Sequence, residues 1–253
     1  MTKKYKDVYD SSIKNKEEFW KHVSNDIFWY KKPTKILNSD NPPFYKWFED
    51  GVTNTCYNAV DLHVDNGRGN KLAIIYDSPI TGVQKKITYK NLLERVSLFA
   101  GALKNQGVTK GDRVIIYMPM IPEAVITMLA CGRIGAVHSV VFGGFAANEL
   151  ASRIDDSKAK LIVTASCGYE PGRTVFYKPL VNKAIELANH KPDKCIIYQR
   201  EKDKAELDPK MDITWEDSLK NVKPAQCEKM NANEYAYILY TSGTTGLPKG
   251  IVR

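Results

Sequence analysis

From residue 71 onward, short apolar runs alternate with longer stretches in which apolar residues recur every three or four positions. Residues 71–76, with Leu-Ala-Ile-Ile at their centre, read as a short buried strand. Thr88 is placed to cap a helix running to Asn105, with Leu92, Leu93, Val96, Phe99, Ala100 and Leu103 on one face and Gly107 to end it. Residues 113–118 form the next strand, and Pro122 suits the first turn of a helix that runs through Met128 to Arg133. Residues 137–142 are a third strand, followed by a helix near 148–155. Further strands are read at 161–164, 195–198 and 235–240, with a helix at 180–189 between the first two. Strands alternating with helices predict an α/β fold: a mostly parallel, doubly wound sheet flanked by helices on both faces, with ligands at the carboxyl ends of the strands.

Residues 1–70 follow another pattern. Aromatic and polar residues dominate (Phe19-Trp20, Phe28-Trp29-Tyr30, Phe44-Tyr45, Trp47-Phe48), and Pro33, Pro42 and Pro43 interrupt regular structure. A short helix is expected at 17–23. This reads as a segment wrapped over a domain by aromatic anchors, so the chain divides into a wrapping segment, 1–70, and an α/β domain, 71–253.

Composition narrows the classes. Among 253 residues, 43% are hydrophobic and 26% charged, as in an ordinary globular protein. The net charge of +8 is spread along the chain, and its longest cluster is Lys3-Lys4-Tyr5-Lys6, so the basic balance reads as a solvated surface with no nucleic-acid site. It is compatible with polyanionic small molecules. The five cysteines lack any Cys-x-x-Cys spacing, which argues against zinc and for free thiols in a reducing compartment; Cys131 and Cys195 read as packing residues. The first 19 residues are polar and carry acids at Asp7, Asp10, Glu17 and Glu18, without an apolar core or arginine, and no apolar run approaches a membrane span. A cytoplasmic protein is expected, with the mitochondrial matrix left open.

The chemistry concentrates in Tyr240-Thr241-Ser242-Gly243-Thr244-Thr245-Gly246-Leu247-Pro248-Lys249-Gly250, directly after a strand. Glycines let an anion approach bare backbone, hydroxyls add donors and Lys249 adds a fixed charge, as holding a polyphosphate requires. The spacing is not that of a Walker A loop, because two residues separate Gly243 from Gly246 and Gly250 follows Lys249. A plain Ser/Thr/Gly surface turn is the bland alternative.

This string resembles the phosphate loop of the adenylate-forming superfamily, and the resemblance covers nearly the whole chain. Asn54-Thr55-Cys56-Tyr57-Asn58-Ala59-Val60-Asp61, 116–123 and 140–145 are similar to the acetyl- and propionyl-CoA synthetases. Glu170-Pro171-Gly172-Arg173 is similar to the propionate branch, where acetate enzymes usually carry Arg-Ala-Gly-Arg. One departure is Leu62, where the family usually has arginine between aspartate and histidine; this puts in doubt a cation's role there. The resemblance implies an ATP-dependent ligase for short-chain carboxylates, with ATP, Mg²⁺ and coenzyme A as its nucleotide substrates and ion. Thr241, Ser242, Gly243, Thr244, Thr245, Gly246 and Lys249 would hold phosphate. Gly143, Gly144, Glu170, Pro171, Gly172 and Arg173 would line the coenzyme A nucleotide site, with Glu170 orienting Arg173 or contacting adenine or ribose.

The same resemblance places the acyl pocket, the metal-binding glutamate and a lysine-bearing C-terminal domain after residue 253. No catalytic residue and no metal ligand is therefore assigned here, and the stretch alone is expected to be inactive and to leave strand 235–240 as an unpaired apolar edge. A different adenylating enzyme and a non-catalytic nucleotide-binding protein are the alternatives. His138 reads as a hydrogen-bonded core histidine, His22, His63 and His190 show no metal pattern, and Gly67-Arg68-Gly69 reads as a turn.

Overall fold

A computed structural model describes residues 4–241 and 248–253 of the chain. Its centre is a five-stranded, all-parallel sheet in the order Asp212–Thr214, Lys194–Tyr198, Leu161–Ala165, Arg113–Met118, Val137–Phe142. Val114, Ile115, Ile116 and Tyr117 of the fourth strand in that order are fully buried, which is why this run is continuously apolar rather than alternating. The chain moves from Arg113–Met118 to its neighbour Val137–Phe142, then crosses back to Leu161–Ala165. Right-handed crossovers then put the two intervening helices, Pro122–Ile134 and Ala147–Ser157, on opposite faces.

The helices follow their sequence signals closely. The Tyr89–Asn105 helix starts on Thr88, whose Oγ1 accepts from the Asn91 amide at 3.3 Å. Its predicted face is buried, apart from a half-buried Leu93. It packs on Pro122–Ile134, and Phe99 stacks on Trp215 with ring centroids 3.7 Å apart. Gly101 is required in this helix because the backbone at Lys223 crosses against it, leaving no room for a Cβ. On the other face, Ala147–Ser157 packs on Tyr177–Leu187.

Five expectations are corrected. Residues 71–76 do not form a buried strand: Leu72–Ser78 pairs antiparallel with Val83–Thr88 across a turn at Gly82 (φ +67°), and Leu72 and Ile75 are exposed. A partner strand that begins five positions after Ser78 captures the strand before the distant sheet can. Residues 235–240 do not join the parallel sheet, nor do they present an unpaired edge. Ile238–Thr241 pairs antiparallel with Lys249–Val252 and reaches the sheet through one bridge, Tyr237 to His138. His138 is half-buried, lies against the Tyr237 ring, and its Nδ1 has no hydrogen-bond partner among the described residues. The helix expected at 180–189 begins earlier, at Tyr177, and ends at Leu187.

Two features carried no apolar run to announce them. The Cys167–Glu170/Arg173–Phe176 hairpin follows the third parallel strand of the chain. The edge strand Asp212–Thr214 starts on a buried aspartate, which is tolerated because buried Lys178 reaches it at 2.8 Å.

The N-terminal residues form two helices, Tyr5–Lys14 and Lys16–Val23, then short ladders. Trp29 packs on Phe48 and Phe28 on Tyr57, contacts within the segment itself, and Phe44 and Tyr45 are exposed. Polar contacts attach the segment to the rest of the chain. Buried Asn54 donates to the carbonyls of Gly132 and Glu228, each at 2.9 Å, and accepts from the Tyr57 amide at 3.0 Å.

Candidate active site at the carboxyl edge of the sheet

The Arg113–Met118 and Val137–Phe142 strands end side by side, and the turn after the second is held by the first. Tyr117 donates its hydroxyl to the Phe145 carbonyl at 2.8 Å and accepts from the Gly144 amide at 3.3 Å. A side chain on Gly143 would run into the Tyr177 hydroxyl and come within 3.1 Å of the Met118 carbonyl oxygen; Gly144 sits at φ +104°, where a side chain is strained. The Tyr177 hydroxyl meets Gly168 in the same way, so one buried phenol is wedged between the Gly143 turn and the hairpin strand. Burial, with the Tyr117 and Glu170 side chains adding to it, pushes that phenol up to about 12.

The hairpin turn is Pro171-Gly172, with Gly172 at φ +76°, the pairing of proline and glycine that such a turn uses. It sets Glu170 and Arg173 opposite one another. Arg173 donates Nη2 and Nε to Glu170 Oε2 at 2.6 and 2.7 Å. A Cβ on Gly144 would lie 3.9 Å from Glu170 Oε1, so the glycine turn and the carboxylate–guanidinium pair face each other across a short gap. Thus Gly143, Gly144, Glu170, Pro171, Gly172 and Arg173 converge on one place, and Glu170 does hold Arg173.

A cavity of about 280 Å³ opens beside this convergence, with Met118, Phe142, Gly143, Glu170, Tyr177 and Arg200 among its lining. Arg200 was not singled out in the sequence. Its guanidinium lies 4.7 Å over the Tyr169 ring, which orients a permanent cation at the mouth. Its signal was positional, since it stands two residues past the end of the Lys194–Tyr198 strand. Bare backbone, two arginines and a phenol at strand ends can receive a phosphorylated, planar ligand.

The other expected site is approached from the Ile238–Thr241 strand. In its ladder with Lys249–Val252, Thr241 stands opposite Lys249 and Tyr240 opposite Gly250. Ser242, Gly243, Thr244, Thr245 and Gly246 lie outside the described residues. The two sites meet on Arg153, which the sequence reading also passed over. This buried guanidinium lies 5.2 Å over the Phe145 ring, just past the glycine turn, and 5.1 Å over the Tyr240 ring, just before the loop. Glu149 holds it at 2.8 Å. Tyr240 in turn donates to Asp156 at 2.7 Å.

Next to Leu62, Asp61 is paired with Arg133 of the Pro122–Ile134 helix, which donates to both of its oxygens at 2.8 and 3.0 Å. Among the described residues, no helix is long and apolar enough to cross a membrane.

Residues 62–253 match the family model for AMP-binding enzymes, and residues 5–59 match the model for the acetyl-coenzyme A synthetase N-terminus. The human acyl-CoA synthetase short-chain family member 3, mitochondrial, is 51% identical over 250 residues, which are 98% of this chain and 36% of that protein. The acetyl-coenzyme A synthetase of Streptomyces coelicolor is 43% identical over 247 residues, 97% of this chain and 38% of its own length. Among solved structures, the acetoacetyl-CoA synthetase from Streptomyces lividans superposes with a TM-score of 0.88 at 25% identity, covering 99% of this chain and 38% of that one. The chain therefore spans 36–38% of the length of these three relatives.

Proposed function

The chain belongs to the AMP-binding enzyme family, and from that premise we propose that the protein containing it joins a short-chain carboxylate, propionate ahead of acetate, to coenzyme A. In the first half-reaction a carboxylate oxygen attacks the α-phosphorus of ATP and pyrophosphate leaves, giving an acyl-adenylate. In the second the coenzyme A thiol attacks the acyl carbon and AMP leaves.

The observation that carries the reading is the ladder setting Thr241 opposite Lys249 at the two ends of the Ser/Thr/Gly run. Such a frame brings a hydroxyl and a fixed cation to the departing pyrophosphate, so its share of catalysis is positioning and charge neutralisation. Mg²⁺ would arrive with the nucleotide and share that charge. Gly143, Gly144 and Arg173, with Arg200 beside them, are assigned to the coenzyme A nucleotide. The propionate preference rests on Glu170-Pro171-Gly172-Arg173. The cytoplasm remains the proposed compartment, and the mitochondrial names of several relatives make the matrix its alternative.

The test is carboxylate-dependent exchange of pyrophosphate into ATP by the full-length protein. Propionate should exceed acetate by roughly 10- to 200-fold, the range one methylene allows. Lys249→Ala should depress this exchange more than it depresses thioester formation from preformed acyl-adenylate and coenzyme A. Best exchange with long-chain fatty acids or amino acids would overturn the substrate assignment, and equal loss in both half-reactions would overturn the role of Lys249.

A further inference from the structure

Away from the sheet edge, Cys56, Asp61 and Cys227 bring two sulfurs and a carboxylate oxygen to within 4.8 Å of one another. At first sight this is a metal-ligand set. The Arg133 guanidinium argues otherwise. It is 3% exposed, it occupies both oxygens of Asp61, its Nη1 lies 3.8 Å from Cys56 Sγ, and its Nε donates to the Ala225 carbonyl at 2.6 Å. A second cation placed here would repel a buried, permanently charged group at close range. Arg133 is the resident cation, and the groups left free to react are the two thiols.

The two sulfurs are not equivalent. Cys56 is fully buried; Cys227 is half-exposed, and its thiol lies 3.8 Å from Asp61 Oδ2. Hydrogen bonding from Cys227, then the nearby Arg133 charge, holds the Cys56 thiol below its ordinary value, while the same hydrogen bond and burial push Cys227 up. Cys56 is thus the nucleophile and Cys227 its proton-bearing neighbour. The pair also joins two separate parts of the chain. Cys56 follows Asn54 in the N-terminal segment, and Cys227 lies between Ala225, which is bonded to Arg133, and Met230–Asn231, which pairs with Val52–Thr53.

We propose that Cys56 and Cys227 form a reversible intramolecular disulfide in response to hydrogen peroxide. The Cys56 thiolate attacks one peroxide oxygen, the O–O bond breaks, and hydroxide leaves, so that sulfur becomes a sulfenic acid. Cys227 then attacks the oxidised sulfur, the S–O bond breaks, and the thiol proton leaves with the hydroxyl as water. Two thiols are oxidised, one peroxide is reduced to two waters, and a dithiol such as dithiothreitol reverses the change. Once formed, the bond staples the N-terminal segment to the stretch that leads into the Ile238–Thr241 strand. This proposal does not depend on the ligase assignment.

The experiment maps disulfides in the full-length protein after brief treatment with hydrogen peroxide, alkylation in denaturant and digestion without reductant. The expected product is one linked peptide pair containing Cys56 and Cys227, abolished by dithiothreitol, with Cys131, Cys167 and Cys195 alkylated. Thermal unfolding of the oxidised protein should move to higher temperature and return on reduction. In Cys227→Ser, dimedone should capture the sulfenic acid at Cys56. Should that variant fail to fold, the wild-type map decides alone. Alkylation of both Cys56 and Cys227 after peroxide, irreversible oxidation of Cys56, a link to another cysteine, or native mass spectrometry showing a metal retained on the two thiols would each overturn the proposal.

Discussion

Arg153 lies over Tyr240, its guanidinium carbon 5.1 Å from the ring centroid, and the same cation sits 5.2 Å over Phe145. One buried charge therefore fastens the turn after Gly144 to the strand that enters the Ser/Thr/Gly loop. Arg153→Met keeps much of the stem but removes the cation from both rings. The expected cost is about 1–3 kcal/mol of stability, measured by urea unfolding. Pyrophosphate exchange should fall with it, because Tyr240 loses one of its two supports. Arg153→Lys should restore part of the stability, and a variant as stable and active as the parent would show that the stacking is incidental.

Gly143→Ala should destabilise by about 1–3 kcal/mol, the usual cost of overpacking a closed site. The new methyl meets the Tyr177 hydroxyl and the Met118 carbonyl. Tyr177→Phe removes the first obstacle, so the double variant should be more stable than the sum of the two single losses predicts. Additive losses in a double-mutant cycle would refute the wedge.

Arg133→Met should cost about 3–5 kcal/mol, since it leaves the Asp61 carboxylate uncompensated in a site that is nearly closed. Replacing both partners, Asp61→Leu with Arg133→Met, should recover most of that loss. Chemical denaturation of the three variants would decide, and a single variant no weaker than the double one would rule the ion pair out as a support of the N-terminal segment.

His138 makes stability depend on pH. Burial holds its pKa at about 4, against an ordinary 6.5. The folded state keeps the ring neutral while the unfolded chain takes up a proton, so between these values the unfolded state binds more protons. The contribution of His138 is fully present above pH 6.5 and is lost as pH falls from there towards 4. The unfolding temperature should therefore drop more steeply over this range for the parent than for His138→Asn. Parallel curves would place the titration elsewhere.

Much of the sheet was legible because local chemistry and tertiary environment agreed. Thr88, Pro122 and the apolar runs at Arg113–Met118, Val137–Phe142 and Leu161–Ala165 mark their elements without help from the rest of the chain. The Cys167–Phe176 hairpin and the Asp212–Thr214 edge strand escaped notice. Their strands are short, and one of them is stabilised by a buried Lys178–Asp212 contact whose partners are 34 residues apart in sequence.

By itself, the sequence determined the α/β class, the parallel core and the candidate loop, because periodicity, caps and glycine–hydroxyl spacing are short-range properties that a linear reading can measure. Only the tertiary structure decided the rest. It paired Leu72–Ser78 with its neighbour instead of the sheet, and brought Arg133 to Asp61 across 72 residues of chain. It also set Gly144 against Glu170, and placed Arg153 between Phe145 and Tyr240. The physical reason is that such contacts depend on where strand ends and helix faces meet in space, and the cost or gain of burying a charge exists only once its partner from a distant part of the chain has arrived.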